Sequence, residues 1–278
     1  MELETNFGDL TGAPVGVFDS GVGGLTAVSC LRSLLPGQDI VFLGDTARVP
    51  YGSRSPEEIH RFARDNLRFL LGFGVKAVLA ACGTVSAIAL GDLQNAGIPV
   101  CGVLVPAVEQ AVKLSRSGRV GVIATPASIG SGSFQRELRA RGCAVFAAAC
   151  PEYVPLAESG RVSPEDPLVR RVTEEYLRDI RAAGVDTLIL GCTHFPHFTG
   201  AISAYMGPEV RLVNCSAAAA EALAALLPRS GAGGEGRLDC WVTGDPAPFA
   251  LLAERFLQQP GIRVQKAARP PSGGKGDA

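Results

Sequence analysis

The sequence predicts an α/β protein with two doubly wound parallel-sheet domains, and three observations lead to that class. Short apolar runs alternate with amphipathic helical stretches along most of the chain, the pattern of strand–helix–strand units in parallel sheets. Val75–Thr84 reads V-K-A-V-L-A-A-C-G-T and Val185–His194 reads V-D-T-L-I-L-G-C-T-H, each after a glycine and each ending on a small residue and a cysteine. V-G-V-F at 15–18 is echoed by V-G-V-I at 120–123, so two matches recur in the same order, as in a duplicated unit.

Taken in order, Val15–Phe18 reads as the first strand, and a helix follows D-S-G-V-G-G-L until Pro36-Gly37 breaks it. Ile40–Leu43 is the next strand. Ser55-Pro56-Glu57-Glu58 then carries a capping box with proline in the first turn, opening a helix to about Phe73. The Cys82 strand, a helix over Ser86–Ala96 and a strand at Val100–Val105 complete the first pattern, which restarts at Pro106. A helix is expected over Val108–Leu114, strands at Arg119–Ala124 and Val145–Ala149, and a helix over Asp166–Ala183. After the Cys192 strand come Leu212–Val213, an Ala-rich helix over Ser216–Leu227, and a flexible connection at Arg229–Gly236. Leu238–Val242 and Ile262–Val264 read as strands around a helix near Pro248–Leu257. Residues 267–278 are low in complexity.

Composition narrows the function classes. The 278 residues are 47% hydrophobic and 19% charged, enough apolar material for one large or two medium domains. A net charge of −1 gives no field for nucleic acid. The N-terminal M-E-L-E-T-N-F-G-D-L has no secretory apolar region and no run is long enough for a membrane span, so a soluble cytoplasmic protein is expected. The eight cysteines form no C-x-x-C pair, which argues against zinc and, in a reducing compartment, for free thiols. The lysines, Lys76, Lys113, Lys266 and Lys275, avoid strand ends, which argues against a pyridoxal Schiff base.

The chemistry is expected at Cys82 and Cys192. Both sit where a strand reaches the carboxyl edge of its sheet, the edge that binds ligands in such folds. Each precedes an expected helix start, where dipole and free N–H groups favour a thiolate. Two thiols across a cleft can take a proton from one face of a carbon and return it on the other; two buried structural cysteines are the competing reading. His194 follows Cys192 closely enough to act as its acid–base partner, and His197 is a weaker candidate. The stretch G-V-G-G-L-T only loosely resembles a dinucleotide fingerprint, because the third glycine is missing and Asp19 stands where a pyrophosphate would approach. Asp19 either assists a neighbouring acid–base group or caps the helix after it. Asp45, Pro50, Tyr51 and Gly52 lie on a loop at the Cys82 edge, a placement that favours ligand contact.

F-D-S-G-V-G-G-L-T, G-D-T-A-R-V-P-Y-G, A-C-x-T, V-P-L-A-E-S-G and G-C-T-H-F-P, in that order over residues 14–264, resemble the glutamate racemase family. The resemblance implies two α/β domains related by pseudo-twofold symmetry with the active site between them. It implies cofactor-independent interconversion of L- and D-glutamate by two thiols, for peptidoglycan. Residues 14–105 plus 215–264 would form the first domain and 106–214 the second, with 1–13 and 265–278 as flexible termini. Cys82 and Cys192 would be the two bases, Asp19 supporting Cys82 while His194 and Glu158 support Cys192. Asp19, Ser20, Pro50, Tyr51, Gly52, Gly83, Thr84, Thr193 and His194 would meet the substrate. The resemblance also brings an expectation of a homodimer without a defined interface, and a DNA gyrase contact that no motif here carries.

One departure is clear: the family reads C-N-T at its first cysteine and this chain reads C-G-T. Gly83 cannot supply the Asn side chain, and losing a hydrogen bond to a charged group is worth roughly 1.5–3 kcal/mol. A second departure is milder: A-T-P-A-S at 124–128 stands for the usual G-T-x-x-T, with Ser128 keeping a hydroxyl. Gly83 therefore leaves open a racemase or isomerase of another, bulkier acidic amino acid or diacid, or a regulatory homologue without turnover. A hydrolase with a Cys nucleophile would leave the second thiol unexplained.

Overall fold

A computed structural model of the chain describes residues 12–227 and 234–267. The first sheet-forming stretch runs β1 (Val15–Asp19), α1 (Leu25–Leu34), β2 (Ile40–Gly44), α2 (Pro56–Leu71), β3 (Ala77–Ala80), α3 (Gly83–Ile88) and β4 (Val100–Gly102). The second runs α4 (Leu104–Leu114), β5 (Arg119–Ala124), α5 (Pro126–Gly130), α6 (Ser133–Ala140), β6 (Ala144–Ala149), α7 (Tyr153–Ser159), α8 (Pro167–Ala182), β7 (Thr187–Leu190), α9 (Thr199–Met206) and β8 (Arg211–Asn214). The chain then returns through α10 (Cys215–Leu226), β9 (Leu238–Val242), α11 (Pro246–Leu257) and β10 (Val264–Lys266).

These strands form two all-parallel sheets, the cores of two α/β lobes. The first has the order β10-β9-β2-β1-β3-β4 and the second β6-β5-β7-β8. The order β2-β1-β3-β4 therefore reappears in the second sheet with every strand advanced by four, so the two echoes in the sequence mark equivalent strands. The likeness extends to single hydrogen bonds. Ala81, before Cys82, donates its N–H to Phe18 O at 2.9 Å, and Gly191, before Cys192, donates to Ile123 O at 2.7 Å. Each cysteine is thus delivered just past the carboxyl end of a strand lying beside the central one.

Burial on both faces explains why β1, β2 and β3 read as continuous apolar runs. Along β2, Ile40 and Phe42 face one hydrophobic cluster while Val41 and Leu43 face another. Helix starts follow local chemistry. The expected capping box forms at α2, where Ser55 Oγ accepts from Glu58 N at 3.3 Å and Glu58 Oε2 accepts from Ser55 N at 3.2 Å. Asp166 caps α8 through Leu168 N at 2.8 Å, with Pro167 at the first helical position.

Several boundaries differ from expectation. The strand expected over Val100–Val105 stops at Gly102, and α4 begins at Leu104 with Pro106 in its first turn, where a missing N–H leaves no intrahelical bond unmade. The helix expected from Ser86 begins at Gly83 and ends at Ile88, followed by a 3-10 turn over Leu90–Leu93. Helices α5, α6 and α7 were not expected from periodicity: each has eight residues or fewer, and α5 and α7 also contain proline. The last strand is Val264–Lys266 rather than Ile262–Val264, so Gln265 and Lys266 belong to the first sheet and not to a flexible terminus. Ala267 is buried, its N–H bonded to Val242 O at 2.8 Å. The flexible stretches expected at 1–11, 229–233 and 268–278 lie outside the described residues. The end of the expected connection is held, with Gly236 N donating to Pro36 O at 2.6 Å.

Candidate active site

A cleft of about 480 Å³ opens between the carboxyl edges of the two sheets, and both Cys82 and Cys192 line it. Most of the other expected site residues border this cleft: Asp19 and Ser20 after β1, Pro50, Tyr51 and Gly52 on the loop after β2, and Gly83 and Thr84 at the start of α3, whereas Asp45 is fully buried and does not. From the second lobe come Glu158 on α7 and Thr193 and His194 after β7. Segments far apart in sequence meet because equivalent strand ends of the two sheets point at one another.

The two thiols differ in their surroundings. Cys82 caps α3, a six-residue helix, and its Sγ lies 3.7 Å from Ser20 Oγ. Burial pushes its pKa up to about 12; nearby Asp19 adds to the rise, and N–H bonds from Val85 and Thr84 oppose it. Cys192 is followed first by the 3-10 turn Phe195–Phe198, with α9 starting only at Thr199, so a helix start directly after the cysteine is found at Cys82 alone. Burial raises Cys192 well above the ordinary thiol range, against a main-chain N–H from His194. Burial thus disfavours the thiolate at both positions, and a thiolate formed there is a stronger base than a free one.

Cys192 has a direct acid–base neighbour, while Asp19 acts on Cys82 through its charge. The Cys192 Sγ lies 3.8 Å from His194 Nδ1, and His194 Nε2 lies 3.1 Å from Glu158 Oε1. Asp19 is buried, and burial raises its pKa while the His194 charge and N–H bonds lower it. Its Oδ2 accepts from Gly21 N at 3.0 Å and Gly24 N at 3.1 Å, so it shapes the turn into α1 as well as lining the cleft. That occupies glycine-loop donors that a cofactor phosphate would need. His197 does not border the cleft. It packs edge-on against Phe256 at 4.4 Å, and burial followed by the charge of His194 lowers its pKa.

Among the described residues no lysine or arginine lines the cleft; its polar lining is supplied by Asp19, Glu158, His194, hydroxyls and main-chain groups. Tyr51 donates its hydroxyl to Asp45 Oδ2 and accepts from Asn66 Nδ2 at 3.1 Å, so that hydroxyl is committed to holding the loop. Asp45 is held in turn by Arg48 at 2.6 Å and Thr243 at 2.7 Å. Sequence reasoning missed Thr125 as a site residue. It caps α5, lines the cleft, and its Oγ1 lies 3.2 Å from Thr84 Oγ1 in the other lobe. The signal was present as Thr-Pro-x-Ser, a capping residue before a proline. The remaining lining is apolar, from Val49, Pro126, Pro151, Val154 and Pro155. Gly83 offers no room for a bulkier substrate on its far side, because a Cβ there would collide with the main-chain oxygen of Gly191.

The family model described as Asp/Glu/Hydantoin racemase matches residues 26–223. The chain belongs to that racemase family, and hence to the isomerases. Among individual relatives, the glutamate racemase of Chlorobaculum tepidum is 43% identical over 223 residues, spanning 79% of this chain and 81% of the relative. The structure of glutamate racemase from Francisella tularensis in complex with D-glutamate is similar with a TM-score of 0.84 at 35% identity, covering 93% of this chain and 98% of that one. The Thermus thermophilus glutamate racemase in complex with beta-chloro-D-alanine gives a TM-score of 0.82 at 41% identity, covering 93% and 98%.

Proposed function

We propose that this chain is a cofactor-independent glutamate racemase in which Cys82 and Cys192 work as a pair of acid–base groups. The observation that carries the reading is the placement of both thiols on facing edges of one cleft, Cys82 beside the Ser20 hydroxyl and Cys192 beside His194. One cysteine as thiolate takes the α-proton, forming S–H and leaving the electron pair of the broken C–H bond on the α-carbon. The other, as a thiol, gives its proton to the opposite face, so the two cysteines exchange protonation states with each turnover. Asp19 serves the Cys82 side; His194, held by Glu158, serves Cys192. A dicarboxylate fits a cleft without Lys or Arg if hydroxyls of Ser20, Thr84, Thr125 and Thr193 and main-chain N–H groups receive its oxygens.

The wider reading is a cytoplasmic enzyme, acting as a homodimer, that supplies D-glutamate for peptidoglycan. Residues 14–105 plus 215–264 would form one domain and 106–214 the other. No helix among the described residues is long and apolar enough to cross a membrane. The deciding experiment incubates the purified chain with L-glutamate in D2O without added cofactor. The α-proton is followed by NMR and optical activity by circular dichroism. Exchange with loss of optical activity, abolished by Cys82→Ala and by Cys192→Ala, is expected. Silence with glutamate but exchange with another acidic amino acid would redirect the substrate; silence across such a panel would end the racemase reading.

A further inference from the structure

The loop that carries Cys192 is seated on two residues that have no side chain. Gly23, in the turn before α1, lies beneath Thr193 and His194. A Cβ there would stand 2.6 Å from His194 Nδ1 and closer still to Thr193 Oγ1. Gly83, at the start of α3, lies against the other end of the same loop. A Cβ there would collide with Gly191 O, and would reach 3.5 Å from Gly191 C and 3.9 Å from Cys192 Cα. Between the two, Thr26 donates its hydroxyl to Thr193 O at 3.0 Å. Gly23, Thr26 and Gly83 belong to the first lobe, and residues 191–194 to the second.

Gly191 has little freedom to retreat. Its N–H is bonded to Ile123 O, and its α-carbon is hemmed in: a Cβ at 191 would stand 2.9 Å from Ile123 O, 3.1 Å from Phe134 and 3.2 Å from Ala124. A side chain at 83 therefore meets main chain that is fixed in the second lobe. Packed interiors compress little, so such an overlap is relieved by a shift of main chain, and here the two main-chain segments that meet belong to different lobes.

We propose that Gly83 is a positioning residue whose missing side chain sets how closely the lobes meet, and so seats the Cys192 loop where both thiols are shielded from water. This reverses the expectation drawn from the motif alone. Restoring the asparagine of C-N-T would be expected to repair a lost hydrogen bond; in this fold it forces the thiol pair apart. The kinetic arm of the test rests on the proposed racemase reading, whereas the labelling arm does not.

The experiment compares Gly83→Asn and Gly83→Ala with the unaltered chain and with Gly91→Ala, a control site with open space around it. Without substrate, iodoacetamide labelling is followed cysteine by cysteine by peptide mass spectrometry. Cys82 and Cys192 are 4% and 6% exposed, and each should label at least about tenfold faster in both Gly83 variants, as thiol reactivity follows access. Cys240, fully buried within β9 and absent from the cleft lining, should keep its slow rate, which separates opening of the cleft from general unfolding. Turnover with glutamate should fall by at least about tenfold in kcat, the cost of losing about 1.4 kcal/mol of transition-state stabilisation. Unchanged labelling of Cys82 and Cys192, or turnover raised by the asparagine, would overturn the proposal. If the asparagine variant fails to fold, the alanine variant decides, since it carries the one atom in question. An unaltered chain that does not exchange the glutamate α-proton would refute the racemase reading and leave the labelling result to judge Gly83.

Discussion

The hydroxyls of Thr84 and Thr125 stand 3.2 Å apart, one at the start of α3 in the first lobe and the other capping α5 in the second. Thr125 Oγ1 also lies 2.9 Å from Ser128 Oγ and accepts from Ser128 N at 3.4 Å. One side chain thus starts a helix and touches the opposite wall of the cleft. Thr125→Val keeps the branched shape and removes the oxygen. Loss of the cap should lower stability by about 1 kcal/mol, visible in thermal melts. Loss of the cross-cleft hydroxyl should raise KM more than it lowers kcat. A variant with unaltered KM would leave Thr125 a helix cap only.

His194 is the group through which Glu158 reaches Cys192. His194→Asn should lower kcat by about 10²–10⁴-fold, the usual worth of a positioned acid–base group. Glu158→Gln should cost less, because its side chain is 40% exposed and water can take over part of its contact. Steady-state rates in both directions check the order of the two effects. A His194→Asn enzyme within about threefold of the unaltered one would remove this residue from the proton transfer.

Tyr51 borders the cleft, yet its hydroxyl is committed to Asp45 and Asn66. Tyr51→Phe should therefore act on stability before it acts on chemistry. A buried hydrogen bond to a carboxylate is lost, with an expected cost of about 1.5–3 kcal/mol. Arg48 and Thr243 remain to hold Asp45. Urea unfolding should show the loss, while kcat changes little. A large fall in kcat at unchanged stability would instead place the hydroxyl on the substrate.

The buried thiols make the fold sensitive to alkali. Cys82, Cys215 and Cys240 are each pushed up to about 12 and Cys101 to about 11, in every case chiefly by burial. Above the ordinary thiol value of 9.0 the unfolded chain releases protons that the folded chain keeps. Stability from this source is complete below that value and falls as pH rises from there toward the folded values. Urea midpoints at about pH 8 and about pH 10 should differ, with the lower one at the higher pH. Equal midpoints would contradict the shifts.

The strand positions and the parallel class were legible because parallel strands buried on both faces leave continuous apolar runs, as at Val15–Phe18 and Val120–Ile123. The thiol pair was legible because each cysteine ends such a run. The helices that complete the cleft were harder to read. Pro126 and Pro155 look like breakers in a sequence, yet each sits in a short helix, the first directly after its Thr125 cap. Tyr51 reads as a ligand contact by its loop position; only packing shows its hydroxyl turned to Asp45. The fit between Gly83 and Gly191 joins residues from different sheets, and no local pattern encodes it.

The outer edge of β2 is completed by β9, in register from Ile40 against Leu238 to Gly44 against Val242. The second sheet, by contrast, uses one uninterrupted stretch of chain from β5 to β8. A ribosome therefore finishes every strand of the second lobe before it supplies the neighbour that β2 needs. Until Leu238–Val242 emerges, the apolar Ile40–Leu43 edge has unpaired main-chain groups open to other nascent chains. The order of synthesis thus asks the later lobe to settle first, and makes the growing chain most prone to association just before its last helix is made.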